Sequence, residues 1–339
     1  MVHLGPSKSK GGMSSVISIL VENPPEGWSS TEISTHSDSG FFSKFRELLS
    51  ARKKLKNLIR RQKIDIAHIH VTHSFSWWRK KTLIDMCNKN GVATVVQIHS
   101  GMFDIFCEGF AGKSVSRTLG REGIKVVLLE ERWIERLNRW IPNNAEVVNN
   151  SSKRVIHRES KECSENIRLL LAARNSRIKG HKFALEIINS LHEMGKKSTL
   201  TMTGVTRVPE SFKLKESVKA LGWISEEEKR EILEETDFIV VPSEFEGSSM
   251  VVIESIVNSI PCIVSPASSQ TIGIERLVVP LGRPEDWARR IIEISRPDQY
   301  LSIIEDLCEL SGKYSIESAK IKFGEIYRDL MEKTSKADS

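Results

Sequence analysis

Short runs of β-branched and aliphatic residues alternate along the chain with longer stretches in which apolar positions recur every three or four residues. The runs at 64–70, 93–99, 125–129, 167–172, 198–203, 238–241 and 261–265 have the length and composition of buried strands. The stretches at 41–62, 80–90, 181–194, 225–235, 249–258 and 284–294 have helical spacing. Strand–helix alternation of this kind predicts an α/β chain with parallel sheets covered by helices on both faces. There is material for two such sheets, separated by the polar, weakly periodic stretch 149–164. The expected division is therefore 1–155, 156–320, and a C-terminal helix over 321–339 that crosses back to the first domain and ends in a frayed tail. Residues 1–4 leave room for only an abbreviated first strand before Gly5-Pro6.

Composition narrows the class. The 339 residues are 39% hydrophobic and 28% charged, which excludes collagen-like and disordered chains. No window approaches the ~18 uninterrupted apolar residues of a membrane-spanning helix. Residues 1–12 contain no apolar core of a secretory signal, and the five cysteines are far apart, so a reduced, cytoplasmic protein without disulfides or structural zinc is expected. The charge is uneven. Residues 1–160 hold 25 Lys and Arg against 15 Asp and Glu, whereas 161–339 hold 25 against 29. A basic first half points to an anionic partner: a phosphate, a negatively charged leaflet or nucleic acid, or else to ordinary surface solvation. No recognition helix or RNA-stacking motif accompanies the charge, so nucleic acid is not expected as a partner. At 51–63, Leu55 and Ile59 share a helical face with Leu48 while Arg52, Lys53, Lys56, Arg60 and Lys63 surround it. Such a stretch packs on a sheet with a solvated outer face, or lies on an anionic membrane.

Several segments could carry chemistry. Residues 240–265 read as strand, loop, helix, turn and strand, with Glu246 in the loop and Glu254 eight positions later on the helix. The small residues Gly247, Ser248 and Ser249, followed by Met250, let a ligand approach bare N–H groups at the helix start. A carboxylate just upstream can accept hydrogen bonds from sugar hydroxyls, and one two turns into the helix can reach a ribose diol. A capped helix with two solvated glutamates is the plain alternative. Upstream, Arg174 and Lys179-Gly180 follow a buried strand, where open α/β sheets bind ligands, and two cations there can grip a diphosphate or merely decorate a surface loop. Gly11-Gly12 after the first strand allows close approach of a phosphate, although it matches neither G-x-G-x-x-G nor a P-loop. His68 and His70 lie two apart on a strand, with His73 after them. Further ligands do not converge in the sequence, so no metal site is expected there. The chain also lacks a D-x-D pair for a metal-bound diphosphate. The run Trp77-Trp78-Arg79-Lys80-Lys81 reads as interfacial or half-buried, and Gln97-x-His99 ends a strand.

The order of these segments resembles family 4 retaining glycosyltransferases of the GT-B fold over nearly the whole length. The residues that carry the resemblance are Gly11-Gly12, His68-x-His70 with Arg79, Gln97-x-His99, Arg174 with Lys179-Gly180, Gly222-Trp223 before a helix, and Pro242-Ser243-x-x-Glu246-Gly247 with Glu254. The resemblance implies two Rossmann-like, doubly wound domains facing across a cleft. It implies a UDP- or GDP-sugar donor and a saccharide or lipid-linked saccharide acceptor in cell-surface glycan synthesis. It implies no cofactor and no divalent metal, with peripheral contact at the inner face of an anionic membrane. Carried onto this chain, Arg174 and Lys179 would neutralise the departing diphosphate. Glu246 with the N–H groups of Gly247, Ser248, Ser249 and Met250 would hold the sugar, Glu254 the ribose, and Ile224 would lie near the base. Gly11 and Gly12 would approach the phosphates, His99 would sit beside the transferred sugar, and Arg79 and His73 would lie toward the acceptor. The chain departs from the family at Ser248-Ser249, where a larger residue and a proline or glycine are common, and this bears on the sugar pocket. Other GT-B chemistry, such as an epimerase or phosphorylase, and a catalytically silent nucleotide-sugar-binding protein are the alternatives.

Overall fold

The computed structural model describes residues 1–7, 9, 11–36, 41–156 and 162–337, with backbone alone for 41–45 and 335–337. The chain divides into two compact units, Met1–Ser151 with Ile316–Ser339, and Ser152–Ser315. The polar stretch expected at 149–164 spans their junction; its residues 157–161 lie outside the described residues, as do 338–339 of the expected tail.

The first unit is built on a parallel sheet of β1 (Val2–Gly5), β2 (Thr31–Ser34), β3 (Ile66–Val71), β4 (Ala93–Ile98), β5 (Ile124–Leu128) and β6 (Ala145–Val147), in the order β2-β1-β3-β4-β5-β6. Strands β3 and β4 are buried along their entire length, as expected of central strands covered on both faces. The register sets His3 beside His68 and His70 beside Gln97. Strand order reverses at β1, so the switch point of this sheet, where open α/β sheets take ligands, lies between β1 and β3. The helix Ile316–Ala337 completes the unit: Phe323, Tyr327 and Leu330 are buried, and Phe323 and Tyr327 pack on His68. Each such side chain removed from water contributes about 1.5–3 kcal/mol.

The second unit has the parallel order β11-β10-β7-β8-β9, from β7 (Ile167–Leu171), β8 (Ser198–Met202), β9 (Val218–Ala220), β10 (Phe238–Val241) and β11 (Cys262–Val264). Its switch point lies between β7 and β10. Asp237, fully buried ahead of β10, is satisfied by the Arg168 N–H at 2.8 Å and the Ser164 hydroxyl at 3.0 Å, and its carbonyl accepts from the Tyr300 hydroxyl at 2.9 Å. This network fastens the helix Pro297–Ser311 to the sheet.

The seven strands read from the hydrophobic runs are present, and β2, β6 and β9 are added to them. Those three have three or four residues each, too few for a periodic signal. The helix expected over 80–90 runs Phe75–Lys89 and buries Trp77, Lys80, Leu83, Ile84 and Cys87 along one stripe. A lysine occupies an inward position of that stripe, which hides its first turn from any reading of apolar spacing. The interfacial reading of 77–81 is corrected accordingly: Trp77 is a core residue and Lys80 is buried. Along the helix Phe41–Arg60, Leu48 and Leu55 are buried while Arg52, Lys53, Lys56 and Arg60 are exposed, the pattern of a helix packed on a sheet. Among the described residues no helix is long and apolar enough to cross a membrane.

Candidate active site

In the second unit three loops meet at the carboxyl ends of the strands. After β7 the chain runs through Ala172-Ala173 to Arg174, which is exposed and has no partner among the described residues. It then makes a tight turn, Arg177–Lys179, and enters the helix His181–Glu193 through Gly180. Gly180 has φ 75°, and a Cβ there would lie 2.4 Å from the Pro242 carbonyl oxygen. Only glycine allows the loop after β10 to rest this closely on the loop after β7. The Glu244 N–H donates to the Ile178 carbonyl at 2.9 Å and fixes the same two loops. The loop after β8 is pressed in similarly, since a Cβ at Gly204 would lie 2.2 Å from the Ala173 carbonyl oxygen.

This packing brings Lys179 to Glu246. The ammonium donates to Glu246 Oε1 at 2.6 Å, with the lysine 20% and the glutamate 10% exposed. Beyond Glu246, the Ser248 hydroxyl is sealed from solvent and has no hydrogen-bond partner among the described residues. Ser249 is the N-cap of the helix Met250–Val257 and makes no side-chain cap, which leaves the first-turn N–H groups of that helix to other acceptors.

Glu254 faces inward on the same helix and is held by Lys229 of the helix Glu226–Glu235 at 2.6 Å. Burial alone would lower the Lys229 pKa, but Glu254 and Glu226 beside it raise it above the ordinary value. Lys229 was not singled out from sequence, because it sits within a run of charged residues typical of a solvated face. Ile224 is half-buried, next to exposed Trp223, just before Ser225 closes a capping box with Glu228. A pocket of about 500 Å³ borders the far flank of the 175–180 loop, against His181, Phe183 and Pro242. It is lined by neither Lys179 nor Glu246.

In the first unit Gly11, with φ 140°, is the N-cap of the helix Gly12–Glu22 and has open space where a side chain would be. His99 follows β4 directly, its N–H bonded to the Val71 carbonyl at 2.9 Å. It ends a row of hydrogen-bonded rings: His99 Nε2 to His70 Nδ1 at 2.9 Å, then His70 Nε2 to His3 Nδ1 at 3.1 Å. His68, stacked on His70, bonds Gln97 at 3.1 Å and the Tyr327 hydroxyl at 2.7 Å. Burial drives the pKa of His3 and of His99 down to about 3, and those of His68 and His70 well below the ordinary value, so all four rings are neutral near pH 7.

His3, His68 and His70 offer nitrogens within 4.8 Å of one another, a spacing that suits a metal. Their ring nitrogens are nevertheless already in hydrogen bonds, except His3 Nε2, which is sealed and unpartnered. A buried lysine also lies close enough to lower the His70 pKa. The donor set therefore suits a neutral, stacked histidine row better than a dication. His73 bonds the Ser100 hydroxyl at 2.6 Å, and Arg79 reaches the His36 ring and the Phe75 carbonyl, each at 3.3 Å.

The chain is similar to known proteins in sequence and in fold. Residues 166–296 match the family described as glycosyl transferases group 1. An uncharacterized glycosyltransferase from Methanocaldococcus jannaschii is 22% identical over 293 residues, covering 84% of this chain and 80% of its own. Among solved structures, sucrose-phosphate synthase from Thermosynechococcus elongatus superposes with a TM-score of 0.75 at 14% identity, covering 98% of this chain and 99% of its own. Anabaena HepE in complex with UDP-glucose superposes with a TM-score of 0.68 at 12% identity, covering 97% and 99%. The chain has the GT-B fold, and its match to the glycosyl transferases group 1 family lies within the second unit.

Proposed function

We propose that the chain is a retaining, metal-independent glycosyltransferase that moves a sugar from a UDP- or GDP-sugar to a saccharide or lipid-linked saccharide in cell-surface glycan synthesis. The observation that carries this reading is the bonded pair Lys179–Glu246 beside an unpaired Arg174, at the switch point of the second sheet. Negative charge builds on the leaving diphosphate as the glycosidic carbon becomes oxocarbenium-like. Arg174, by forked hydrogen bonds, and Lys179, as a point charge, oppose it in place of a divalent ion. Preorganised donors of this kind supply the largest single contribution to such catalysis, several kcal/mol in total. Glu246, the Ser248 hydroxyl and the N–H groups from Gly247 to Met250 hold the sugar hydroxyls. Glu254, oriented by Lys229, takes the ribose, and Ile224 with Trp223 borders the base. The acceptor hydroxyl attacks on the face the nucleotide leaves, and the departing phosphate takes its proton, so no second catalytic carboxylate is required. In the first unit, the Gly11 N-cap of the helix Gly12–Glu22 and neutral His99 offer hydrogen-bond donors to a substrate of the transfer.

The test is a thermal-shift panel of UDP-, GDP- and ADP-sugars with and without EDTA. A stabilising shift that survives chelation and is lost in Arg174→Ala and in Lys179→Ala is expected; an unchanged shift in those variants overturns the donor assignment. Product analysis separates glycosyl transfer from epimerisation or phosphorolysis by the appearance of a new glycosidic bond.

A lipid-linked acceptor met at the cytoplasmic leaflet is supported by an aromatic ridge on the first unit. Phe75 is 81% and Phe110 85% exposed, Ile105 is exposed too, and Phe110 stacks on Trp78. Peripheral binding through such residues, aided by the basic surface, is expected to float the protein with anionic liposomes in a salt-sensitive way. Absence of flotation removes the membrane part of the proposal alone.

A further inference from the structure

The histidine row is bordered by a cation that has no counter-charge among the described residues. Lys80 lies on the inward stripe of the helix Phe75–Lys89, between Trp77 and Leu83, and is 3% exposed. Among the described residues no acceptor takes a hydrogen bond from its Nζ and no carboxylate pairs with it. Among the described residues, the charged and titratable groups that act on it are Arg79 on its own helix, His70 on β3 and His99 beyond β4. None is an acid. Burial, and then Arg79, lowers its pKa to about 7. A buried ammonium in such company is costly, and an anion at its tip removes that cost.

The position of this cation matters. Helix Phe75–Lys89 follows β3, and His99 follows β4, so Lys80 and His99 lie on segments that leave the carboxyl ends of two adjacent strands. The switch point of the sheet adjoins them, and the Gly11 N-cap opens on it from β1.

We propose that Lys80, together with His99, is a receptor for phosphoryl oxygens at the carboxyl end of the first sheet. The phosphoryl group belongs to a substrate of the proposed transfer, so its source rests on that reading: either the donor diphosphate or a phosphate on the acceptor. The binding itself does not rest on it. Lys80 supplies the charge, and His99, fixed by His70 in one orientation, supplies a directional hydrogen bond. The oxyanion stabilises the protonated lysine, so binding draws a proton from solvent at slightly alkaline pH.

Side-chain ¹H–¹⁵N spectra of the full chain, labelled at histidine, follow His99 during titration with inorganic phosphate, inorganic pyrophosphate, glucose 1-phosphate, UDP and acetate. Saturable movement of the His99 signals with phosphate and pyrophosphate is expected, with affinity reduced at least about ten-fold in Lys80→Met. A Lys80-dependent response to UDP identifies the donor diphosphate as the source. A response to glucose 1-phosphate without one to UDP identifies a phosphate on the acceptor. No saturable movement, undiminished affinity in Lys80→Met, or an equal response to acetate overturns the proposal. Should Lys80→Met fail to fold, calorimetry of phosphate binding to the wild-type chain at pH 8, in two buffers of different ionisation enthalpy, decides: uptake approaching one proton supports the receptor, and no uptake overturns it. Thermal shifts with UDP-sugars that depend on Arg174 and Lys179 report the second unit separately, so failure of one proposal is distinguishable from failure of the other.

Discussion

Lys179 and Glu246 meet at 2.6 Å across two loops that follow different strands, and each holds the other in place. On the proposed reading, the lysine assigned to the leaving diphosphate is thus oriented by the carboxylate assigned to the sugar. Glu246→Gln keeps the shape and removes the charge. It is expected to lower kcat/KM about 10²–10³-fold, the order seen when one preorganised transition-state contact is lost. UDP affinity, read by calorimetry, is expected to stay within about three-fold of wild type by the same argument, since Glu246 serves the sugar rather than the nucleotide. Unchanged turnover would remove Glu246 from the chemistry.

Glu254 and Lys229 form the second such pair. Glu254→Ala is expected to weaken UDP binding by about 1–3 kcal/mol, the magnitude of a lost hydrogen bond to a charged group. It should also abolish any preference for UDP over its 2′,3′-dideoxy analogue. A retained preference would show that the ribose is read elsewhere.

Gly180 couples the two loops through its left-handed conformation and its contact with Pro242. Gly180→Ala combines an unfavourable φ with an overlap against backbone, and a cost of about 1–3 kcal/mol is expected. Urea unfolding of the second unit checks this. The same variant should lose turnover more than stability alone explains, because Lys179 immediately precedes the displaced residue. Stability equal to wild type would mean that the loops can separate without loss.

The buried histidines make the first unit sensitive to acid. His3, His68, His70 and His99 have pKa values far below 6.5 in the fold, and about 6.5 in the unfolded chain. Below pH 6.5 the unfolded chain therefore binds protons that the native chain refuses. Stability is full above 6.5 and falls as the pH drops toward about 3, by up to about 1.4 kcal/mol per pH unit for each histidine. Lys80 acts with the same sign at higher pH, since its folded pKa of about 7 lies below the value of the free side chain and stability rises between the two. Hydrogen exchange of β3 and β4 amides between pH 5 and 7, corrected for intrinsic rates, is the measurement. A flat profile would indicate that the row is charged in the fold.

Much of this was legible before any coordinates. The strands at the centre of each sheet announce themselves as unbroken apolar runs, because a strand covered on both faces has no polar side to interrupt it. Arg174, Lys179 and Glu246 follow the ends of such runs, where parallel sheets gather ligands, Glu254 lies on the helix beyond, and Lys179 and Glu246 are in contact. Their spacing along the chain does not reveal that bond, which depends on Gly180 accepting Pro242. Lys229 was hidden among solvated charges. His3 was hidden in an abbreviated strand, and only the β1–β3 register sets it against His68. Lys80 was misread because a cation next to tryptophans suggests a surface, whereas the helix turns it inward.

The helix Ile316–Ala337 belongs to the first unit although the whole second unit precedes it in the chain. The second unit, contiguous over 152–315, has all of its core once residue 315 has been synthesised. The first does not, because the seat of Phe323 and Tyr327 against His68 stays empty until the helix is made. On the ribosome the order of maturation is therefore inverted: the half translated second is the half that can settle first, and the histidine row waits for the final helix to close over it.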